Sequence, residues 1–437
     1  MSLIRKKPIE QDEFYRRLRR LVHRRLVDSI EGERSLELGD IPALSKRVET
    51  LLDEYQYETN RCLAAELRRE IIGDVLQEMN GMGPLSPLMD DAGVSDILVN
   101  GADEIWIDRR GQLEKTDIRF DDEAHLRRFV DRLVGAQGRQ LDAGAPTVDA
   151  KLPDGSRLHA VIPPLCGRGT ILSIRRFRVE RADPDVLIAQ GFIDTAMLQL
   201  LEISVRSGLN VVIAGGASAG KTSLLNLLAR YIPSNERIVT VEETAELRLQ
   251  HPHVIPLESR PSNREGNGGV GLSDLVRTAL RMRADRIIVG EVRGVEVFDM
   301  LQAMNVGHDG SLTTVHANSP QDVLRRLEAL ALQGGSGMMR TSVREMIGSA
   351  IQVVVQLARF SDGSRRVISL GEVTGDDGNL KVRELYRFET DRSAVASGTA
   401  GGCHRAIGEP RVILERAAQR GIDLSGYTAL RSGGVHA

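Results

Sequence analysis

Eight consecutive residues, Gly215-Gly216-Ala217-Ser218-Ala219-Gly220-Lys221-Thr222, fit the pattern GxxxxGK[ST]. An apolar run, Val211 to Ala214, precedes them and a helical pattern begins near Lys221, which is the strand-loop-helix setting of a Walker A loop. Glycines let successive backbone N–H groups point at phosphates, the helix N-terminus adds a favourable dipole, and the lysine meets the β and γ charges. The candidate nucleotide-binding residues are therefore Gly215, Gly216, Ala217, Ser218, Ala219, Gly220, Lys221, Thr222 and Ser223, with Thr222 placed to hold magnesium.

Binding alone is not hydrolysis, which also needs a carboxylate to orient water and another to tie down the metal. Two later runs supply them. Arg237 to Val241 is an apolar strand ending in Glu242-Glu243, and Arg286 to Gly290 is a second, ending in Glu291. Strand ends of this kind lie at the carboxyl edge of a parallel sheet, where phosphates bind. Two histidines bracket a third run, Ser311 to Val315: His308 before it and His316 after it. No cysteine or carboxylate cluster accompanies them at ligand spacing, so sensing the γ-phosphate fits better than holding a metal.

These groups need a scaffold, and the surrounding pattern describes one. Helices over 195–206, 221–230, 272–282, 294–304 and 319–332 alternate with strands over 210–214, 237–242, 286–290 and 311–315, predicting a largely parallel sheet flanked by helices. Before it, short strands over 94–99, 104–108, 113–120 and 170–177, a hairpin over 148–163 and a helix over 122–133 make an α+β unit. The chain divides into a helical region (1–82), this α+β domain (83–180), a linker (181–194) marked by Asp183-Pro184-Asp185, the P-loop domain (195–390) and an irregular segment (391–437). One amphipathic helix over 410–420 and a disordered end at 431–437 are expected in that last part.

Composition narrows the partners. The 437 residues carry 58 Lys plus Arg against 61 Asp plus Glu, a net charge of -3, so no global field steers nucleic acid. Aromatic residues at 3% leave few stacking platforms, which argues further against a nucleic-acid translocase. Cys62, Cys166 and Cys403 form no CxxC pair, no apolar run approaches membrane-spanning length, and arginines interrupt the first 30 residues where a signal sequence would be apolar. A cytoplasmic chain is expected. Phe14, Leu18, Leu21, Val22 and Leu26 recur at helical spacing among arginines, predicting a basic amphipathic helix that docks on a neighbour or meets an anionic membrane surface.

The order of Walker A loop, acidic strand end, Gly290-Glu291-Val292-Arg293-Gly294 and the two-histidine segment resembles the type II/IV secretion ATPases. Leu152-Pro153-Asp154-Gly155-Ser156-Arg157, Ser173-Ile174-Arg175-Arg176-Phe177, Leu301 to Asn305 and Gly307-His308-Asp309-Gly310 resemble the CpaF-like ATPases of tight-adherence (Tad, Flp) pilus assembly. The resemblance implies a RecA-like P-loop motor domain behind a mobile N-terminal domain, a homo-hexamer, ATP and magnesium. It further implies an inner-membrane platform of a pilus or secretion system as partner, met peripherally.

By that resemblance Glu242 is the water-orienting acid, Glu291 stands in an atypical Walker B segment and holds magnesium, and His308 and His316 fall in a "His box". Arg157, Arg175 and Arg176 match arginines that reach the nucleotide from the N-terminal domain. Four positions at three places depart from the family pattern: Glu243 replaces a common Asp, Ala217-Ser218 a common Thr-Gly, and Ala284 a Pro. The first leaves the choice between Glu242 and Glu243 open. Rival readings on the same residues are a type IV secretion or DNA-transfer motor and a nucleotide-gated scaffold without turnover.

Overall fold

The computed structural model describes residues 9–32, 40–109, 111–176, 183–260, 267–335, 337–375, 379–391 and 401–427. The chain forms two compact units, 1–178 and 179–437. Phe177, at the end of one expected strand, and the segment 431–437 lie outside the described residues.

The first unit opens with helices α1 (Ile9–Gly32), α2 (Ile41–Thr59) and α3 (Ala65–Asn80). Leu18, Val22 and Leu26 repeat every four residues on α1 and bury against Leu44, Val48, Leu51 and Leu52 of α2 and Ile71 and Val75 of α3. Each such side chain contributes roughly 1.5–3 kcal/mol on burial. The basic helix therefore spends its apolar stripe on its neighbours, while Arg17, Arg20 and Arg24 face outward. Arg19 turns inward to Asp121, 2.7 Å away.

There follow α4 (Ser86–Asp90), β1 (Val94–Val99), β2 (Ile105–Arg109), β3 (Gln112–Lys115), α5 (Glu123–Gly135), β4 (Thr147–Lys151), β5 (Arg157–Val161) and β6 (Ile171–Arg175). The strands form an antiparallel sheet in the order β3-β2-β1-β6-β5-β4. Alternation buries Leu158, Ala160, Leu172 and Ile174 in the same core as Leu126, Phe129 and Val130 of α5. The strand expected over 113–120 ends at Lys115, because Phe120 leaves the edge and turns inward, its ring 5.2 Å from those of His125 and Phe129.

The second unit comprises α6 (Pro184–Ala189), α7 (Thr195–Arg206), β7 (Val211–Gly215), α8 (Lys221–Ala229), β8 (Ile238–Glu242), β9 (Val254–Glu258), α9 (Leu272–Ala279), β10 (Arg286–Val292), α10 (Glu296–Asn305) and β11 (Leu312–Val315). It continues with α11 (Pro320–Gly334), α12 (Arg340–Ala350), β12 (Val353–Arg359), β13 (Arg365–Thr374), β14 (Lys381–Thr390), β15 (Gly402–Ala406) and α13 (Val412–Gln419). The sheet order is β15-β14-β13-β12-β7-β11-β10-β8-β9. From β12 to β9 every pairing is parallel, and β13, β14 and β15 add antiparallel strands at one side.

Successive residues of β7 feed opposite cores, which is why this strand reads as continuously apolar. Val211 and Ile213 join the core of α7, α8 and α13, while Val212 and Ala214 join that of α9, α10, α11 and α12. This is the α/β, RecA-like P-loop fold.

Two expectations are corrected. The supposed linker contains α6: Asp183 accepts the N–H of Asp185 at 2.9 Å and Pro184 opens the helix, so the residues taken as a breaker are a helix start. The segment over 391–437, expected to be irregular apart from one helix, carries β15 among its described residues. β14 and β15 extend the sheet with few apolar residues to mark them, and fully buried Glu372 accepts the N–H groups of Arg411 and Ile413 at the start of α13.

Candidate functional site

The loop between β7 and α8 is held in shape by contacts that exclude side chains. A Cβ at Gly215 would lie 2.8 Å from the Leu357 carbonyl oxygen of β12, its partner in the sheet. Gly220 has φ +97° and lies under the Phe192 ring and the Arg365 stem. Ser218 adopts φ +56°, a left-handed conformation in a residue that has a Cβ. Ala217 and Ser218 are exposed, Ala219 is buried, and Thr222 and Ser223 are half-buried on the first turn of α8.

Lys221 is 8% exposed, and its ammonium donates to the carbonyls of Gly215 (3.2 Å) and Gly216 (3.0 Å). It also lies 3.9 Å from Glu291 Oε1 and 3.4 Å from His316 Nδ1. His316 Nε2 is in turn 2.9 Å from Glu291 Oε1. Burial, followed by the charge of Lys221, lowers the His316 pKa below its ordinary value against the opposing pull of Glu291. Lys221, Glu291 and His316 thus meet at one edge of the sheet, from the start of α8 and the ends of β10 and β11.

His308 stands apart from His316. It precedes β11, whereas His316 follows it, and a four-residue strand alone spans about 13 Å. Its Nδ1 lies 2.9 Å from the Ala284 carbonyl oxygen, before β10 begins, so it stands at the opposite sheet edge from Lys221. The neighbouring Gly310, φ +79°, leaves room for the buried Arg286 guanidinium, which donates to Val205 O at 2.7 Å and pairs with Glu236.

The two adjacent glutamates after β8 receive different surroundings. Glu242 is 4% exposed, and its Oε1 accepts the N–H groups of Glu246 (2.8 Å) and Leu247 (2.9 Å). Burial raises its pKa despite those two donors. Glu243 is open to solvent and meets Arg293 Nη1 at 3.2 Å. Arg293 Nη2 reaches Glu291 Oε2 at 2.6 Å. Arg293 and the buried Glu296, whose Oε1 accepts the N–H groups of Arg293 (2.6 Å) and Gly294 (2.8 Å), were given no role by sequence reasoning. The available signal was the spacing: Arg293 follows Glu291 by two residues.

In the first unit, Arg157 and Arg175 are direct cross-strand partners, with Lys151 opposite Arg157 and Asp96 opposite Arg175. Arg175 is exposed. Arg176 differs: its guanidinium donates to the carbonyls of Asp91 and, at 3.0 Å, Val94, clamping the entry to β1. These contacts of Arg176 lie within its own unit.

A strand, a glycine loop with a buried lysine, and carboxylates on neighbouring parallel strands define a RecA-like P-loop protein. Residues 78–414 match the model of the family described as "Type II/IV secretion system protein", and the chain belongs to that family. It is 43% identical over 326 residues to a protein of Mycobacterium tuberculosis whose name assigns it provisionally to conjugal transfer, covering 73% of this chain and 92% of that one. It is 31% identical over 314 residues to the type IV secretion system protein PtlH of Bordetella pertussis (64% and 91% covered). To the conjugal transfer protein TrbB of Rhizobium radiobacter it is 30% identical over 314 residues (70% and 92% covered). Among solved structures, the VirB11 ATPase of the Brucella suis type IV secretion system is 26% identical, with TM-score 0.36, covering 68% of this chain and 96% of that one. Among the described residues no helix is long and apolar enough to cross a membrane.

Proposed function

We propose that this chain is a magnesium-dependent ATP hydrolase that works as a homo-hexameric motor on an inner-membrane platform, driving Tad/Flp-type pilus assembly or protein secretion. The observation that carries the hydrolase reading is the convergence of Lys221, Glu291 and His316 at the P-loop edge of the sheet. In this reading the backbone N–H groups from Gly216 to Ser223 cradle the phosphates. Lys221 exchanges its bonds to Gly215 O and Gly216 O for phosphate oxygens, and Glu242, desolvated and raised in pKa, orients the attacking water. His316 reports the γ-phosphate to Glu291.

Hard oxygen donors at Thr222, next to Lys221 in sequence, and at Glu291, 3.9 Å from the Lys221 ammonium, fit magnesium. When bound, the ion neutralises charge on the β- and γ-phosphates. Arg157 and Arg175 supply further positive charge from the N-terminal domain, by the resemblance already drawn. Cytoplasmic residence with peripheral attachment to the platform completes the proposal.

Phosphate release by the purified chain, with Lys221→Ala as control, tests it. Turnover that Lys221→Ala leaves unchanged rejects the P-loop assignment. If Glu242→Gln and Glu291→Gln both support pilus formation as wild type does, a scaffold without turnover is the better account.

The names of the conjugal-transfer relatives favour a second reading, a type IV secretion or DNA-transfer motor. The balanced charge argues against direct tracking of nucleic acid. Single-stranded DNA should leave the ATPase rate unchanged, whereas platform cytoplasmic domains or anionic lipid should raise it. Several-fold stimulation by DNA, lost between about 50 and about 200 mM salt, selects the second reading.

A further inference from the structure

We infer that Arg293 is a positioning residue of the hydrolytic site: its guanidinium ties Glu243, just past β8, to Glu291 on β10 and holds the Glu291 carboxylate turned toward Lys221 and His316. The inference rests on the hydrolase reading and adds to it a residue to which no role has been attached.

The geometry divides the Glu291 carboxylate between two sets of partners. Oε1 lies 2.9 Å from His316 Nε2 and 3.9 Å from Lys221 Nζ, while Oε2 is 2.6 Å from Arg293 Nη2. A carboxylate on a flexible stem at a strand end would otherwise rotate freely about its last bond. With one oxygen fixed by a charged, directional donor, the other stays aimed at the P-loop. The second arm of the fork, Nη1, meets Glu243 Oε2 at 3.2 Å. Glu243, just past β8, and Glu291, on β10, carry like charge, and the guanidinium between them offsets that repulsion.

The main chain under Arg293 is fixed in turn. The carboxylate of Glu296, 5% exposed, accepts the N–H groups of both Arg293 and Gly294 through Oε1. Gly294 is bare where a Cβ would lie 2.9 Å from Glu296 Oε2. A buried carboxylate thus anchors the backbone from which Arg293 reaches out. The chain from Glu296 through Arg293 to Glu291 is continuous, and its far end is the lysine of the P-loop.

The test compares full-length wild type with Arg293→Ala, Arg293→Lys and Glu243→Gln. Steady-state phosphate release gives kcat and KM for ATP, manganese titration in the presence of ADP, followed by electron paramagnetic resonance, gives metal affinity, and thermal melting gives stability. Outer residues that orient metal-holding groups typically matter by about 10- to 100-fold. Arg293→Ala should lower kcat by about that factor and weaken manganese binding comparably. KM for ATP should stay within about threefold and the melting temperature should be unchanged, since Arg293 is half open to solvent. Arg293→Lys should recover part of the loss, because a point charge reaches one carboxylate but not both. Glu243→Gln should show a smaller loss, the bond to Glu291 remaining.

Wild-type values of kcat and manganese affinity in Arg293→Ala overturn the inference. So does a joint fall of activity, ADP binding and melting temperature, which marks a role in folding only. A wild-type chain without Lys221-dependent phosphate release rejects the hydrolase reading instead, and the manganese titration still reports on Arg293 in that case.

Discussion

The side chain of Glu242 on β8 occupies the space that Gly290 on β10 leaves empty: a Cβ at Gly290 would lie 2.9 Å from Glu242 Cγ and 3.3 Å from its Oε1. The two strands pair in parallel up to Val241 and Val289, so Gly290 is the next residue along, at the point where the Glu242 stem crosses. The glycine before Glu291 therefore serves the acid on the neighbouring strand. Gly290→Ala should push Glu242 aside at a cost of about 1–3 kcal/mol in stability. A displacement near 1 Å costs up to about 100-fold in rate, so kcat should fall at least tenfold while ADP still binds. Phosphate release and ADP titration on the same preparation check this; unchanged kcat would separate Glu242 from the hydrolytic step.

Ser218 bears on the loop's own strain. A non-glycine residue at φ +56° costs about 1–2 kcal/mol, and a glycine there would forgo that cost but lose about 0.5–1 kcal/mol to the freer unfolded chain. Ser218→Gly should accordingly stabilise by at most about 1.5 kcal/mol and leave nucleotide binding intact or slightly tighter. Ser218→Val adds a branched Cβ in a conformation it strongly resists and should weaken ADP binding by more than tenfold. Equal affinities for the Gly and Val variants would show that the loop does not hold this conformation when it binds.

Acid should act on the first unit through Glu78. Burial favours its neutral form, but the hydrogen bond from His125 and the charges of Arg19 and His125 outweigh burial and hold its pKa at about 2. His125 Nε2 is 2.6 Å away. A carboxyl lowered on folding stabilises fully above its unfolded pKa of 4.5 and loses that contribution as pH falls toward 2. The amount is on the order of 3 kcal/mol. Glu78→Gln should flatten the dependence of melting temperature on pH between 5 and 2.5, in ~0.1 M salt. An unchanged pH slope in that variant would assign the acid sensitivity elsewhere.

How much of this was legible in the sequence follows from what each residue answers to. The P-loop and the strands that flank it announce themselves because their requirements are local: glycines where backbone must approach closely, and apolar runs where both faces are buried. The start of α7 at Thr195 and the helix after Asp122 are equally local, each set by an aspartate accepting a nearby N–H at 2.7 Å. β14 escaped the pattern because its support is tertiary: it lies between β13 and β15 and needs little apolar alternation of its own. The separation of His308 from His316 was hidden for the reverse reason. Eight residues look adjacent in sequence, yet a strand running through the sheet carries them to opposite edges. Arg293 was visible as a letter in a motif, but its meaning depends on Glu243, fifty positions earlier.

Arg175 and Arg176 are neighbours in sequence and should separate stability from turnover. Arg175 is exposed on the face that also carries its cross-strand partner Arg157, and like charges directly opposite cost about 0.2–1 kcal/mol. The pairing of Arg175 with Asp96 on its other side offsets part of that cost. Arg175→Ala should therefore change stability by less than about 1 kcal/mol. If the arginine supplies charge to a transferring phosphoryl group, as proposed, its loss should lower turnover far more, since such arginines are worth roughly 10³ to 10⁵ in rate in other P-loop enzymes. Arg176 instead satisfies the carbonyls of Asp91 and Val94, and leaving part-buried carbonyls without that partner costs about 1–3 kcal/mol. Arg176→Ala should lower the melting temperature by several degrees, with turnover falling only as folded protein is lost. Mixing Arg175→Ala with Lys221→Ala subunits then asks whether the arginine acts across a subunit boundary: recovery of activity in verified mixed oligomers is the expected result, and its absence confines Arg175 to its own chain.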